Sequence, residues 1–147
     1  MTLFEKAIVI AKVVNTRLIY QDELINFKQA EYWAKPIEIH NNILDDCDGY
    51  SCLICYLLRL FGAKDYEVFV RAGNIIDNNK IIGHATCLFF DVDTFLFYPL
   101  EGSFYAEESI RNFGKVPLFL NPKYKDTWWI TNDVYSYSTI PFLRFIR

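Results

Sequence analysis

The chain has 147 residues, enough for one sizeable hydrophobic core and too few for two, so residues 1–147 are read as a single domain. Apolar residues make up 52% and charged residues 22%, and no apolar run approaches the roughly 20 residues of a membrane span, which excludes a disordered chain and a transmembrane one. A net charge of −3 with no cluster of Lys or Arg leaves no footprint for gripping phosphate backbones, so neither nucleic acid nor membrane is an expected partner.

At the N-terminus, Met1-Thr2-Leu3-Phe4-Glu5-Lys6 carries charges where a secretory signal needs an unbroken apolar stretch, so a cytoplasmic or virion-associated protein is expected. Leu3, Ala7, Ile10, Ala11 and Val14 recur at helical spacing, with Thr2 as N-cap and Glu5 completing a capping box, which predicts a helix over Thr2–Val14. Residues 15–46 read as irregular, with Pro36 biasing Lys35 away from helix and Asn41-Asn42 marking a turn. Asp48–Phe61 is apolar nearly all round and is followed by Gly62, the pattern of a buried helix with a glycine stop. Extended segments follow at Tyr66–Ala72, Lys80–Phe90 and Thr94–Leu100, separated by Asp77-Asn78-Asn79 and Asp91-Val92-Asp93, and they read as an antiparallel sheet. Further on, a helical turn is expected over Ala106–Asn112 and one more strand around Thr127–Thr131. Aromatics at 18% suit an interface or a ligand platform, yet AT-rich codons also produce Phe and Tyr together with Ile, Asn and Lys, so their excess assigns no function.

Chemistry concentrates at the start of the buried helix. Cys47 immediately precedes it, where unpaired N–H groups and the positive end of the helix dipole favour thiolate, the nucleophilic form. A cysteine nucleophile needs a base, and the chain has two histidines. His40 lies in the irregular approach, whereas His84 interrupts an otherwise apolar strand and is the better candidate. A two-residue loop at Val92-Asp93, or a four-residue loop in the same register, would pair Phe90 with Phe95 and His84 with Glu101. Directly opposed Cβ atoms are roughly 4.5–5.5 Å apart, so Glu101 would orient the imidazole. Taken singly, a cysteine at a helix start or a histidine on a strand is more often structural; their convergence with Glu101 raises the catalytic reading to parity.

Rival uses of the four cysteines are weaker. Cys47, Cys52, Cys55 and Cys87 match a plant-type [2Fe–2S] spacing, but such a cluster needs a loop with N–H groups aimed at sulfur, and this interval reads as helix without glycine between Cys52 and Cys55. Cys87 stands three residues beyond His84 on the same strand and points to the other face, which disfavours a shared zinc site. A disulfide framework is not expected without a secretory signal.

Asp46-Cys47-Asp48-Gly49-Tyr50, the helix end Leu57-Leu58-Arg59-Leu60-Phe61-Gly62, Gly83-His84-Ala85 and Tyr98-Pro99-Leu100-Glu101 resemble the core of the transglutaminase-like superfamily. Asn15, Tyr20, Asp22 and the run from Glu31 to Glu38 resemble the approach segment of its bacterial transglutaminase-like cysteine peptidase branch. The resemblance covers about residues 13 to 102 and implies a papain-like α+β fold in which a helix starting at the cysteine packs on an antiparallel sheet. It implies Cys47 as nucleophile, His84 as base and Glu101 where an Asp is usual, acting on a protein or peptide substrate through an acyl-enzyme. It also raises a weak calcium site at Asp46 and Asp48, where Gly49 replaces a further acid. The alternative is a catalytically weak or inactive module of the same fold that binds an assembly partner, for instance in a phage particle. Asn41 and Asn42 are near enough upstream to offer an oxyanion donor, although turn formation is the simpler use of both.

Overall fold

The computed structural model describes residues 1–17, 19–20, 44–45 and 47–138. Helix α1 (Leu3–Arg17) buries Ala7, Ile10, Ala11 and Val14, the stripe read from the sequence. Its capping box is formed: the Thr2 N–H donates to Glu5 Oε2 at 2.6 Å and the Glu5 N–H to Thr2 Oγ1 at 3.1 Å. Strands β1 (Ile19–Tyr20) and β2 (Leu44–Asp45) pair in parallel, while the expected turns at Pro36 and Asn41-Asn42, together with His40, lie outside the described residues.

Helix α2 (Cys47–Leu60) begins at the cysteine itself. It ends as its sequence demands. Gly62 takes φ +112°, the Ala63 N–H reaches the Leu58 carbonyl at 2.9 Å and the Gly62 N–H reaches Arg59 at 3.3 Å, the two bonds of a Schellman stop. The helix is less buried than its apolar composition suggests: Tyr50, Ile54, Cys55 and Leu58 are covered, whereas Tyr56 and Leu60 are exposed.

Strands β3 (Val68–Asp77) and β4 (Lys80–Asp91) form a hairpin turned by Asn78 and Asn79, both with positive φ, the two-residue geometry that matches strand twist. This turn carries β3 five residues past the expected Ala72. Next come β5 (Leu96–Leu100), α3 (Ala106–Asn112), a 3-10 turn (Leu118–Leu120), β6 (Tyr124–Thr131) and β7 (Ser136–Ser138). The antiparallel sheet runs β5-β4-β3-β6-β7, so β6 returns to pair with β3 and β7 adds an edge the sequence did not signal. No helix among the described residues is long and apolar enough to cross a membrane.

The two sheet faces differ in kind. Val68 and Val70 of β3, Cys87 and Phe89 of β4, and Tyr98 and Leu100 of β5 join Val14, Ile54 and Leu58 in one core beneath α1 and α2. The alternate residues Arg71, His84 and Thr86, with Glu101 just past β5, are buried and polar.

Candidate active site

The register of β4 against β5 decides where Glu101 stands. Asp91 pairs with Leu96 and Phe90 with Phe97, two residues beyond the expected Phe90–Phe95 pairing. The cause is local. The Asp91 carboxylate accepts from the Asp93 N–H at 3.1 Å and the Thr94 hydroxyl at 2.9 Å, its carbonyl accepts from the Phe95 N–H at 2.8 Å, and Phe95 takes φ +58° to close a four-residue loop. Cys87 therefore faces Leu100, and one step further Thr86, not His84, lies opposite Glu101. A shift of two preserves the face, so His84 and Glu101 remain diagonal neighbours on the same side. The extra methylene of Glu suits that longer diagonal.

The carboxylate is fully engaged and only 2% exposed. His84 Nε2 lies 2.6 Å from Glu101 Oε2. The Thr86 hydroxyl donates to Oε1, as does the Tyr124 hydroxyl at 3.1 Å, and the Glu101 N–H donates to Ser109 Oγ at 2.8 Å. An ionised carboxylate only accepts, so, facing one, His84 would donate through Nε2 and keep Nδ1 as the ring nitrogen able to take a proton from a thiol.

Cys47 is half-buried on the first turn of α2, and its thiol donates to Asp48 Oδ1 at 3.6 Å. Tyr105 packs against the histidine of the pair. The Tyr105 ring meets His84 edge-on with centroids 5.5 Å apart. Its hydroxyl is pushed up to about 12, first by burial, then by a hydrogen bond to Asp77 and by the charges of Asp77, Glu101 and Cys47.

The other cysteines sit in a different medium. Burial, with Asp133 adding to it and Arg59 opposing it, pushes the Cys55 thiol up to about 12. Cys87 is pushed well above its ordinary value by burial and then by Cys55, Glu101 and Cys52. Cys52 and Cys55 line a hollow of about 560 Å³ between α2 and β6, beside Arg59 and Asp133 and without a histidine among its described lining residues. None of the four cysteines is in a disulfide, and no group of three His, Cys, Asp or Glu among the described residues could hold a metal ion. The iron–sulfur spacing is therefore a coincidence of helix and strand positions. For calcium, Asp48 is 8% exposed with its carboxylate turned to Cys47, and Asp46 lies outside the described residues, so the described residues do not assemble the six to eight oxygens calcium prefers.

Sequence reasoning missed Thr86, Tyr105, Tyr124 and Arg71. Arg71 alone left a signal, a charged side chain between Val68-Phe69-Val70 and Ala72 inside a strand. Tyr124 left none, because β6 reaches β3 from about fifty residues away and nothing local marks that pairing.

No family model matches the sequence, and no curated protein matches it significantly. Solved structures do match. EGTA-treated LapG of Legionella pneumophila superposes with a TM-score of 0.74 at 14% identity, covering 98% of this chain and 71% of that one. Calcium-bound LapG of the same organism gives a TM-score of 0.67 at 15% identity, covering 93% of this chain and 74% of that one. At the level of fold, the chain shares the α+β architecture of these structures, as the fold expected from the sequence required.

Proposed function

We propose that the chain is a cysteine peptidase that hydrolyses a peptide or side-chain amide bond through Cys47, His84 and Glu101. The observation that carries this reading is the buried hydrogen bond between His84 and Glu101, which leaves one imidazole nitrogen open on a sheet reached by the helix that starts at Cys47. In the proposed cycle His84 Nδ1 takes the thiol proton, and the Cys47 sulfur attacks the carbonyl carbon. The resulting tetrahedral adduct expels the amine, which leaves with that proton. Water then adds to the thioester, giving its proton to His84, and the collapse releases the acid and restores the thiol. Glu101 keeps the ring in the required tautomer and stabilises its cationic form. A structural module would have no use for a buried imidazole–carboxylate pair, which is why the catalytic reading is preferred.

Intact-mass labelling with a limiting alkylator across pH 5 to 9 tests it. Cys47 is expected to label first and to slow at least about tenfold in His84→Ala, while Cys55 and Cys87 stay silent behind their burial. Equal labelling of the thiols, or a Cys47 rate indifferent to His84→Ala, would overturn the proposal.

A further inference from the structure

Arg71 is 0% exposed and makes no ion-pair hydrogen bond among the described residues. Nε donates to Thr127 Oγ1 at 2.9 Å, and Nη2 to the carbonyls of Asp126 at 2.9 Å, Lys125 at 3.2 Å and Asn74 at 3.3 Å. Nη1 has no hydrogen-bond partner among the described residues. A guanidinium in this position is a costly choice for stability, since an apolar side chain would fill the space without desolvating a charge.

The fold nevertheless makes room for it. A Cβ on Gly73 would stand 2.6 Å from Nη2 and 2.9 Å from Cζ of Arg71 and would also collide with the Asp126 carbonyl. Gly73 is the cross-strand partner of His84. The guanidinium therefore lies over Gly73 of β3, the residue that faces the histidine. On its other side, Cζ lies 5.4 Å from the centre of the Tyr124 ring, and the hydroxyl of that ring reaches Glu101 Oε1.

We propose that Arg71 and Tyr124 are positioning residues that hold the Glu101 carboxylate ionised and aimed at His84. The proposal rests on the catalytic reading above for its purpose, although the coupling it describes can be measured without catalysis. Tyr124 and Thr86 occupy Oε1, so Oε2 is left to the imidazole. Arg71 supplies the positive charge that a carboxylate in a dry site requires if it is not to protonate. Burial lowers the guanidinium from its ordinary value, and the charges of Tyr124, Glu101 and Asp126 oppose that fall. The last of these is at the surface, so its effect is damped by water. Tyr124 is driven well above its ordinary value by burial and then by Glu101, so it remains a donor at neutral pH. The groups coupled to Glu101 are thus His84 from β4, Arg71 from β3, Tyr124 from β6 and Tyr105 ahead of α3, while Cys87 on the opposite face of β4 is kept as a neutral thiol by burial.

The reactive state has thiolate, imidazolium and carboxylate; adding one proton to it gives a state in which the carboxyl can be neutral. Removing a donor or a positive charge from Glu101 favours that extra proton, so the acid limb of Cys47 reactivity moves to higher pH. In Tyr124→Phe, which keeps the ring and loses only the hydroxyl, the acid limb of Cys47 alkylation is expected to rise by about one pH unit. Arg71→Lys should hold the limb near the wild-type position, whereas Arg71→Met should raise it at least as far as Tyr124→Phe. Nitrogen-15 spectra of the His84 ring provide a readout independent of Cys47: the neutral ring should be the Nε2–H tautomer in the wild type and a mixture of tautomers in Tyr124→Phe. If Arg71→Met does not fold, Tyr124→Phe decides alone. A Tyr124→Phe protein with the wild-type ring spectrum would overturn the proposal. Should Cys47 prove indifferent to His84 while the ring spectrum still changes in Tyr124→Phe, the catalytic reading fails and the positioning role stands.

Discussion

Strands β3, β4 and β5 are written twice, once on each face, and the two faces obey different rules. Beneath α1 and α2 the residues are Val68, Val70, Cys87, Phe89 and Leu100, packed with Ile54 and Leu58, and what they require is volume and shape. On the other face Arg71, His84, Thr86, Glu101 and Tyr124 are as deeply buried, and there each polar atom requires a particular partner. Errors on the first face should cost stability in proportion to the volume lost. On the second they should change protonation and chemistry before they change the fold.

The sharpest way to break that contrast is Glu101→Gln. Its amide oxygen can take over from Oε1, but its NH₂ then faces His84 Nε2 and forces the ring proton onto Nδ1, the nitrogen the thiol needs. Hydrolysis is expected to fall by about 10² to 10⁴, as when an orienting acid is lost in other triads, with little change in melting temperature. Glu101→Asp should also lose activity, because the register puts His84 on a diagonal that the shorter side chain spans poorly. Full activity in either variant would show that the face holds no orienting acid. The complementary change is Leu58→Ala in the core, where the side chain is 0% exposed. Denaturant unfolding should show a loss of about 2–5 kcal/mol, while the pH profile of Cys47 labelling keeps its shape. A displaced profile would mean that the two faces are not separable.

Alkaline pH gives the smallest effect and tests whether the apolar face also titrates. Burial raises Cys55 and Cys87 in the folded state, so their stabilisation is complete below the unfolded thiol value and is lost as pH rises toward the folded ones. Between about pH 9 and 10 the wild type should lose up to about 1.4 kcal/mol per buried thiol for each pH unit. Cys87→Val should reduce that slope, and an unchanged slope would place its origin elsewhere.

Features that depend only on near neighbours along the chain are legible in the sequence alone. Thr2 and Glu5 cap α1, Gly62 stops α2, and Cys47 stands at the helix start, because each of these is decided within a few residues by backbone hydrogen bonding. Alternation along β4 separates the face of His84 from that of Cys87, since side chains on a strand have a period of two. What the sequence leaves undecided is distance across the sheet. The Asp91 turn moves β5 by two residues and puts Thr86 opposite Glu101. The return of β6 brings Tyr124 onto the same carboxylate, and Gly73 gains its meaning only because the Arg71 guanidinium lies across it. Those outcomes are set by a loop's own hydrogen bonds and by pairing between segments far apart in the chain. For that reason the candidate nucleophile, base and acid can be named from the sequence, whereas the groups that hold them are found only in the folded molecule.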